Sequence, residues 1–162
     1  LEAKAEIRTL RLEPLSEPMI ARVLEIEQLS NSAPWTEASF RNELDHPHGI
    51  FRVAIADGKV VGFGGLWCVI DEAHVTTLAV DPAARRHGIA WKLMVELLQE
   101  AQKRGMTCST LEVRAGNEAA IKVYERLGYT STAVRKRYYP DNREDAVVMW
   151  MRHLESWEAP RK

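Results

Sequence analysis

One amphipathic stretch does most to limit the folds open to this chain. Ile89, Leu93, Met94, Leu97 and Ala101 fall on one face of a helix over residues 89–104, and Gly105, after Lys103 and Arg104, supplies a C-terminal stop. A β-patterned run stands on either side of it, His74 to Val80 before and Cys108 to Val113 after. Two strands joined through one helix make a β-α-β crossover, expected to be parallel and right-handed. Ligands of open α/β sheets settle in the crevice beyond the strand ends, so chemistry is expected at the C-terminal mouth of this crossover.

The remaining patterns place antiparallel strands and further helices around that unit. A first strand is read over Ile7 to Leu12, before Pro14. Met19, Ile20, Val23, Leu24 and Ile26 then form a helical stripe with Pro18 in its first turn, ended by residues 31–34. Thr36 caps a short second helix carrying Phe40 and Leu44. Phe51, Val53 and Ile55 alternate with Arg52 and Ala54, and Asp57-Gly58 supplies a hairpin turn into Val60, Val61 and Phe63. Asp71-Glu72 is read as the next turn, before His74 to Val80, and Asp81-Pro82 closes that strand. After the crossover, Asn117 caps a helix from Glu118 to Leu127 stopped by Gly128, and strands over 129–134 and 145–154 follow. The sum is an α/β chain of the mixed α+β kind: a central, mostly antiparallel sheet with one parallel crossover and helices on both faces. One domain over residues 1–162 is expected, with frayed ends at 1–5 and 157–162.

Composition removes several classes of function. Lys and Arg number 22 against 23 Asp and Glu, a net charge of -1, so no overall field exists to hold nucleic acid or anionic lipid and any anion site is local. The longest apolar run, around Val60 to Ile70, contains Gly62, Gly64 and Gly65 and is too short to span a bilayer. Leu1 to Arg8 carries no apolar stretch of the signal-peptide kind, and a cytoplasmic location is expected. Cys68 and Cys108 match no zinc or redox spacing and read as core residues; with five scattered histidines, no metal is expected.

Three local patterns carry chemistry, and each has an ordinary structural alternative. Arg85 to Ala90 lies between a strand end and the start of the strongest helix, where unpaired N–H groups and Gly88 suit a phosphate-like anion. Its spacing is neither that of a Walker loop nor that of a dinucleotide turn, and the alternative is a basic turn that caps a helix. Asn117, Ala120, Tyr124 and Gly128 share one side of a helix, which a cap, a packing Ala, a buried Tyr and a stop would also explain. Glu112 sits between Leu111 and Val113 on an expected interior strand, where a carboxylate needs a purpose or a partner such as Arg114 or a neighbouring arginine.

Together these residues resemble the GNAT family of N-acetyltransferases, and within it the RimI-like ribosomal-protein-alanine N-acetyltransferases. The family loop Q/R-x-x-G-x-G/A matches Arg85, Gly88 and Ala90, and N-x-x-A-x-x-x-Y-x-x-x-G-F/Y matches Asn117 through Tyr129. Pro34-Trp35, Leu111 to Arg114, Tyr138-Tyr139-Pro140 and Arg143 to Ala146 match the narrower group, so the resemblance covers nearly the whole chain. It departs at Ala90, where a second glycine is commoner, and at His87 and Trp91, which are bulkier than a minimal loop needs.

The resemblance implies the GNAT fold, with acetyl-CoA in a splayed opening between the two parallel strands and pairing like an added strand with Leu78, Ala79 and Val80. It implies a diphosphate on the backbone of Arg86, His87, Gly88, Ile89, Ala90 and Trp91, and Asn117 on the cofactor arm. Glu112 is the implied general base, through water, and Tyr124 the implied general acid. Trp35, Arg137, Tyr138 and Tyr139 are expected to border the acceptor groove, or else to be packing and loop residues. The implied acceptor is a protein N-terminus, with ribosomal protein S18 as the target, and no nucleic-acid or membrane partner is expected.

Amine attack on a thioester needs a neutral amine, a stabilised oxyanion and a proton for the leaving sulfur. A backbone N–H near Ala79 is the expected oxyanion donor, and the Tyr124 phenol, at an ordinary pKa of ~10 against a thiol at ~8.5, the expected proton donor. An α-amine near ~7.8 costs about 3.5 kcal/mol less to neutralise than a lysine at ~10.4, which suits a single water-linked carboxylate. Cys108 as a nucleophile lacks a histidine placed in sequence to activate it. The rival readings are a GNAT enzyme for lysine side chains or small amines, and a non-catalytic CoA-binding module.

Overall fold

The structure is a computed structural model that describes residues 6–161; residues 1–5 and 162, part of the expected frayed ends, lie outside the described residues. Its strands are β1 (Leu10–Pro14), β2 (Gly49–Ala56), β3 (Lys59–Val69), β4 (Glu72–Val80), β5 (Cys108–Arg114), β6 (Thr130–Arg135) and β7 (Ala146–Met151). Its helices are α1 (Ile20–Ser30), α2 (Glu37–Glu43), α3 (Ile89–Lys103) and α4 (Glu118–Leu127). The strands form one sheet in the order β1-β2-β3-β4-β5-β7-β6, antiparallel throughout except for the parallel pair β4 and β5.

Both faces of the sheet are covered, which explains why the central strands are apolar on both sides. Phe51, Val53, Ile55 and Phe63 pack against Val23 and Ile26 of α1 and Phe40 of α2. Ala54 and Ala56, pointing the other way, meet Ile89 and Leu93 of α3. Further along that second face, α3 and α4 share a core with Leu111, Val113, Met149 and Met151. Asp57 and Gly58 turn the first hairpin at φ 50° and 82°, the positive pair that a tight hairpin demands.

Four sequence expectations need correction. The first strand starts at Leu10 and includes Pro14, because the Asp57 carboxylate takes the amides of Arg8 and Thr9 (3.2 and 2.8 Å) out of the ladder. Since β1 is an edge strand, Pro14 is tolerated there. The second turn centres on Ile70 and Asp71, with Glu72 already in β4; Ile70 is 93% exposed at φ 58°. The last strand stops at Met151, and His153 at φ 58° leads into a 3-10 turn at Leu154–Ser156. Trp157 is anchored, its indole N–H donating to Leu127 O at 2.8 Å while Gln102 donates to its carbonyl at 2.6 Å.

The feature that makes a site is the incomplete β4–β5 pair. Only Glu72, Ala73 and His74 pair, with Cys108, Ser109 and Thr110, and beyond them the strands part. The apex is closed by Tyr129 Oη against Ser109 Oγ (2.7 Å), which donates to Ala73 O (2.9 Å). A bulge lies just past the apex: Gly65 faces Thr77 and Leu66 faces Val75, leaving Thr76 extra on β4 and bending it. Thr76 Oγ1 is enclosed with no hydrogen-bond partner. An unsatisfied buried hydroxyl costs about 1–3 kcal/mol, so Thr76→Val is expected to raise the thermal midpoint by about 2–12 °C; calorimetry showing a lower midpoint would contradict this.

Candidate active site

The wedge left by the parting strands opens toward the start of α3. Asp81, at the end of β4, pairs with Arg22 of α1 and accepts the Ala83 N–H at 3.0 Å, fixing where the loop begins. Arg86 and Gly88 take left-handed conformations (φ 70° and 72°), and Gly88 is the N-cap of α3. The amides of Gly88, Ile89, Ala90 and Trp91 meet no acceptor among the described residues, and the first bond of the helix is Lys92 N–H to Gly88 O (3.1 Å). These donors, with the helix dipole, form an anion cradle. The side chains of Ile89 and Trp91 turn into the core, so the bulk of Trp91 does not crowd the loop, and His87 is held by Ala84 O at 3.0 Å. Gly62 permits this closeness: a Cβ there would stand 3.0 Å from Ala79 O and 3.3 Å from Ile89.

Along the wall of the wedge, Asp81 N–H bonds to Val61 O of β3 at 2.8 Å. Main-chain direction alternates along a strand, so Ala79 also faces β3, while the polar groups of Leu78 and Val80 face the gap. The main-chain groups left free for an added strand are therefore those of Leu78 and Val80, not those of Ala79.

Tyr124 of α4 is 7% exposed and packs edge-on to Tyr129, ring centroids 5.9 Å apart. Its hydroxyl has no hydrogen-bond partner among the described residues yet is not enclosed. Burial, with a smaller contribution from Tyr139, pushes its pKa up to about 12. Asn117 uses its side-chain oxygen to cap α4, accepting Ala120 N–H at 3.2 Å, and keeps its amide nitrogen.

Glu112 departs from expectation. Leu111 and Val113 face the core, and Glu112 stands out on the opposite side of β5 with its side chain 30% exposed, so it is not a desolvated carboxylate. Its cationic partner is Arg135 of β6 (3.6 Å), not Arg114, and Tyr138 donates a hydrogen bond to it, which pushes the Tyr138 phenol up. Tyr138 and Tyr139 meet edge to face at 5.1 Å. Burial pushes the Tyr139 phenol up, with a smaller upward contribution from the Glu112 charge. The ring of Trp35 packs on Phe40 (5.2 Å), and the Trp35 backbone amide donates to the buried Glu27 carboxylate (3.0 Å), whose pKa burial pushes upward. Arg137 lies exposed in the turn after β6 at φ 52°, its amide bonded to Asp145 (2.9 Å).

Of the two partners expected for Glu112, Arg114 or an arginine from a neighbouring element, the structure gives the second, while the network of Arg114 itself escaped sequence reading. In the basic run 135–137, Arg135 pairs with Glu112 and Lys136 with Asp145 (3.3 Å). Cys108 is buried at the closed end of the β4–β5 pair with its thiol pushed up by burial, while Cys68 is half-buried rather than core. Cys68 lines a groove of about 650 Å³ with His46, Trp67, Ile70 and Arg104 at the β3–β4 turn, the far end of β4 from the wedge mouth. Among the described residues no helix is long and apolar enough to cross a membrane, and no cluster of His, Cys, Asp or Glu is arranged for a metal.

The Tyr124 value corrects one step of the chemistry. Handing a proton from a phenol near 12 to a thiolate of ~8.5 is uphill by about 3.5 pKa units, or ~5 kcal/mol, and even an ordinary phenol would face about 1.5 units. Because the folded pKa of Tyr124 is raised, its share of stability is full below pH ~10 and lost as pH climbs toward 12. Urea denaturation at pH 9 and 11.5 is expected to show an alkaline loss about 2 kcal/mol smaller in Tyr124→Phe than in the wild type; equal losses would contradict the shift.

An anion cradle at a helix start, beside two parallel strands that part after three residue pairs, is matched by known proteins. The model of the acetyltransferase (GNAT) family matches residues 20–129. The [ribosomal protein bS18]-alanine N-acetyltransferase of Escherichia coli K12 is 40% identical over 126 residues, 76% of this chain and 84% of that protein. The protein of the same name from Haemophilus ducreyi is 34% identical over 141 residues, 85% and 97% of the two chains. The crystal structure of the ribosomal-protein-S18-alanine N-acetyltransferase from Escherichia coli superposes with a TM-score of 0.83 at 32% identity, covering 95% of this chain and 98% of that one. With the family model spanning 110 of 162 residues and the fold matched over 95% of the chain, the chain belongs to the GNAT family of acetyltransferases.

Proposed function

We propose that this enzyme acetylates the N-terminal α-amine of a cytoplasmic protein from acetyl-CoA, and that its acceptor is ribosomal protein S18. The observation that carries the reading is the β4–β5 wedge, with free amides at its mouth. Acetyl-CoA supplies an activated acyl carbon and an anionic diphosphate, and the residues present suit both. The amides of Gly88 to Trp91 receive the diphosphate, Leu78 and Val80 offer main-chain groups to the pantetheine arm, and Asn117 offers its amide nitrogen.

Glu112, through water, takes the proton that the acceptor ammonium must lose, and Arg135 gives way to that ammonium. The pair is half-exposed, worth under about 1 kcal/mol, so its exchange for a substrate cation is inexpensive. Tyr124 keeps its proton and donates a hydrogen bond to charge developing on sulfur, while the proton finally gained there derives from the amine. Trp35, Arg137, Tyr138 and Tyr139 border the acceptor peptide. The names of the bS18-specific relatives support the choice of acceptor.

The test is mass spectrometry after incubation with acetyl-CoA and a panel: an S18 N-terminal peptide, the same peptide with its α-amine blocked, and small polyamines. Acetylation of the free α-amine alone is expected. Product only on lysine or on small amines would overturn the protein N-terminus, and binding of acetyl-CoA without any product would favour a non-catalytic module.

A further inference from the structure

Arg114, the last residue of β5, is the most heavily engaged side chain outside the groups assigned so far. Its guanidinium meets Asp141 at 3.1 and 3.0 Å, Asn142 Oδ1 at 3.2 Å and Glu144 at 3.4 Å, all in the connection between β6 and β7. It also reaches Ser32 Oγ, at 3.5 Å, in the loop between α1 and α2. Ser32 in turn hydrogen-bonds Asp141, so the two loops are tied across the mouth of the sheet. The same guanidinium lies 3.9 Å from the centroid of Tyr139, and Glu144 accepts the Gly116 amide at 2.8 Å, drawing in the loop before α4. A Cβ at Gly116 would stand 2.7 Å from Glu144, so that loop is packed directly on the cluster.

Electrostatics make the arginine necessary. Asp141 and Glu144 would stand together without a counter-charge if it were removed, each only about a fifth to a quarter exposed along the side chain. Lysine keeps the charge but not the planar fork that engages two carboxylates, an amide oxygen and a ring at once. Arg114 takes no part in proton transfer, because it points to the loops while Glu112 is met by Arg135 and Tyr138.

We infer that Arg114 is the positioning residue of the acceptor groove: it clamps the α1–α2 and β6–β7 loops together and fixes the ring of Tyr139 beneath its guanidinium. The inference rests on the proposed function for its kinetic consequence, though not for its structural one. Most of the donor site, at the start of α3 and along β4, lies outside the clamp, and only Asn117, next to Gly116, adjoins it.

The experiment compares wild type, Arg114→Met, Arg114→Lys and Asp141→Asn by acceptor-peptide kinetics, acetyl-CoA affinity from calorimetry, and hydrogen exchange. For Arg114→Met, kcat/KM toward the acceptor is expected to fall about 10- to 100-fold, as for a groove displaced by about an ångström, with the acetyl-CoA Kd within twofold. Arg114→Lys should recover part of that loss. Asp141→Asn, which keeps the side-chain shape and removes one charge of the clamp, should raise acceptor KM several-fold with kcat largely kept. The amides of Gly116, Tyr139 and Arg143 should exchange faster in Arg114→Met while the amides of α3 do not.

Acceptor KM within twofold of wild type in both Arg114→Met and Asp141→Asn would overturn the inference, as would a rise in acetyl-CoA Kd that tracks the acceptor KM. Failure of the wild type to acetylate any amine would strike the proposed function instead; loop exchange would then decide the clamp, unchanged rates in Arg114→Met overturning it.

Discussion

Tyr124→Phe is expected to lower kcat by about 10²–10³, the usual range for loss of a positioned proton-bearing group, with acetyl-CoA affinity and stability kept. The hydroxyl has no hydrogen-bond partner among the described residues, so its removal leaves no buried group unpaired, and the ring still packs on Tyr129. A destabilised protein would show that the hydroxyl holds the fold instead of the chemistry. Since the phenol is pushed up to about 12, the wild-type rate should show no basic limb from Tyr124 below pH ~10. Steady-state kinetics from pH 6 to 10 on both proteins checks this: a loss that is constant with pH is expected, and a loss that appears only above pH 8 would contradict a phenol neutral throughout.

Glu112→Gln is the second large effect. The amide keeps the shape of the side chain and can still accept from Tyr138, but it cannot take a proton and no longer attracts Arg135. At pH 7, kcat/KM for an α-amine acceptor is expected to drop by about 10² or more. The penalty should shrink as pH rises from 7 to 9, because an amine of pKa ~7.8 then enters already neutral and the base has less to do. A penalty independent of pH over that range would mean that Glu112 acts by charge alone. The same variant should bind acetyl-CoA as the wild type does, since the carboxylate stands apart from the Gly88–Trp91 amides.

Local signals were readable wherever a few neighbouring residues decide the conformation. Asp57-Gly58 dictates its turn through backbone sterics, Asn117 and Thr36 cap their helices with their own side chains, and Gly105 and Gly128 stop theirs in left-handed conformations. The seven strands and four helices all lie close to where periodicity puts them. What escaped was decided by distant partners. The start of β1 was moved by a carboxylate some fifty residues away. Glu112 was read as buried because its strand is interior, but register with β7 and the arrival of β6 leave that face of β5 open and bring Arg135 to it. The Arg114 cluster joins residues 32, 114, 141 and 144, a set that no spacing rule connects. The wedge itself follows from a one-residue bulge at Thr76, for which alternation gave no warning.

A crystal grown with coenzyme A tests the central claim most directly. The account predicts its diphosphate on the Gly88–Trp91 amides, its arm along Leu78 and Val80, and its sulfur within hydrogen-bonding reach of Tyr124 Oη. Coenzyme A bound elsewhere, or a sulfur remote from that oxygen while the wedge stays open, would contradict it.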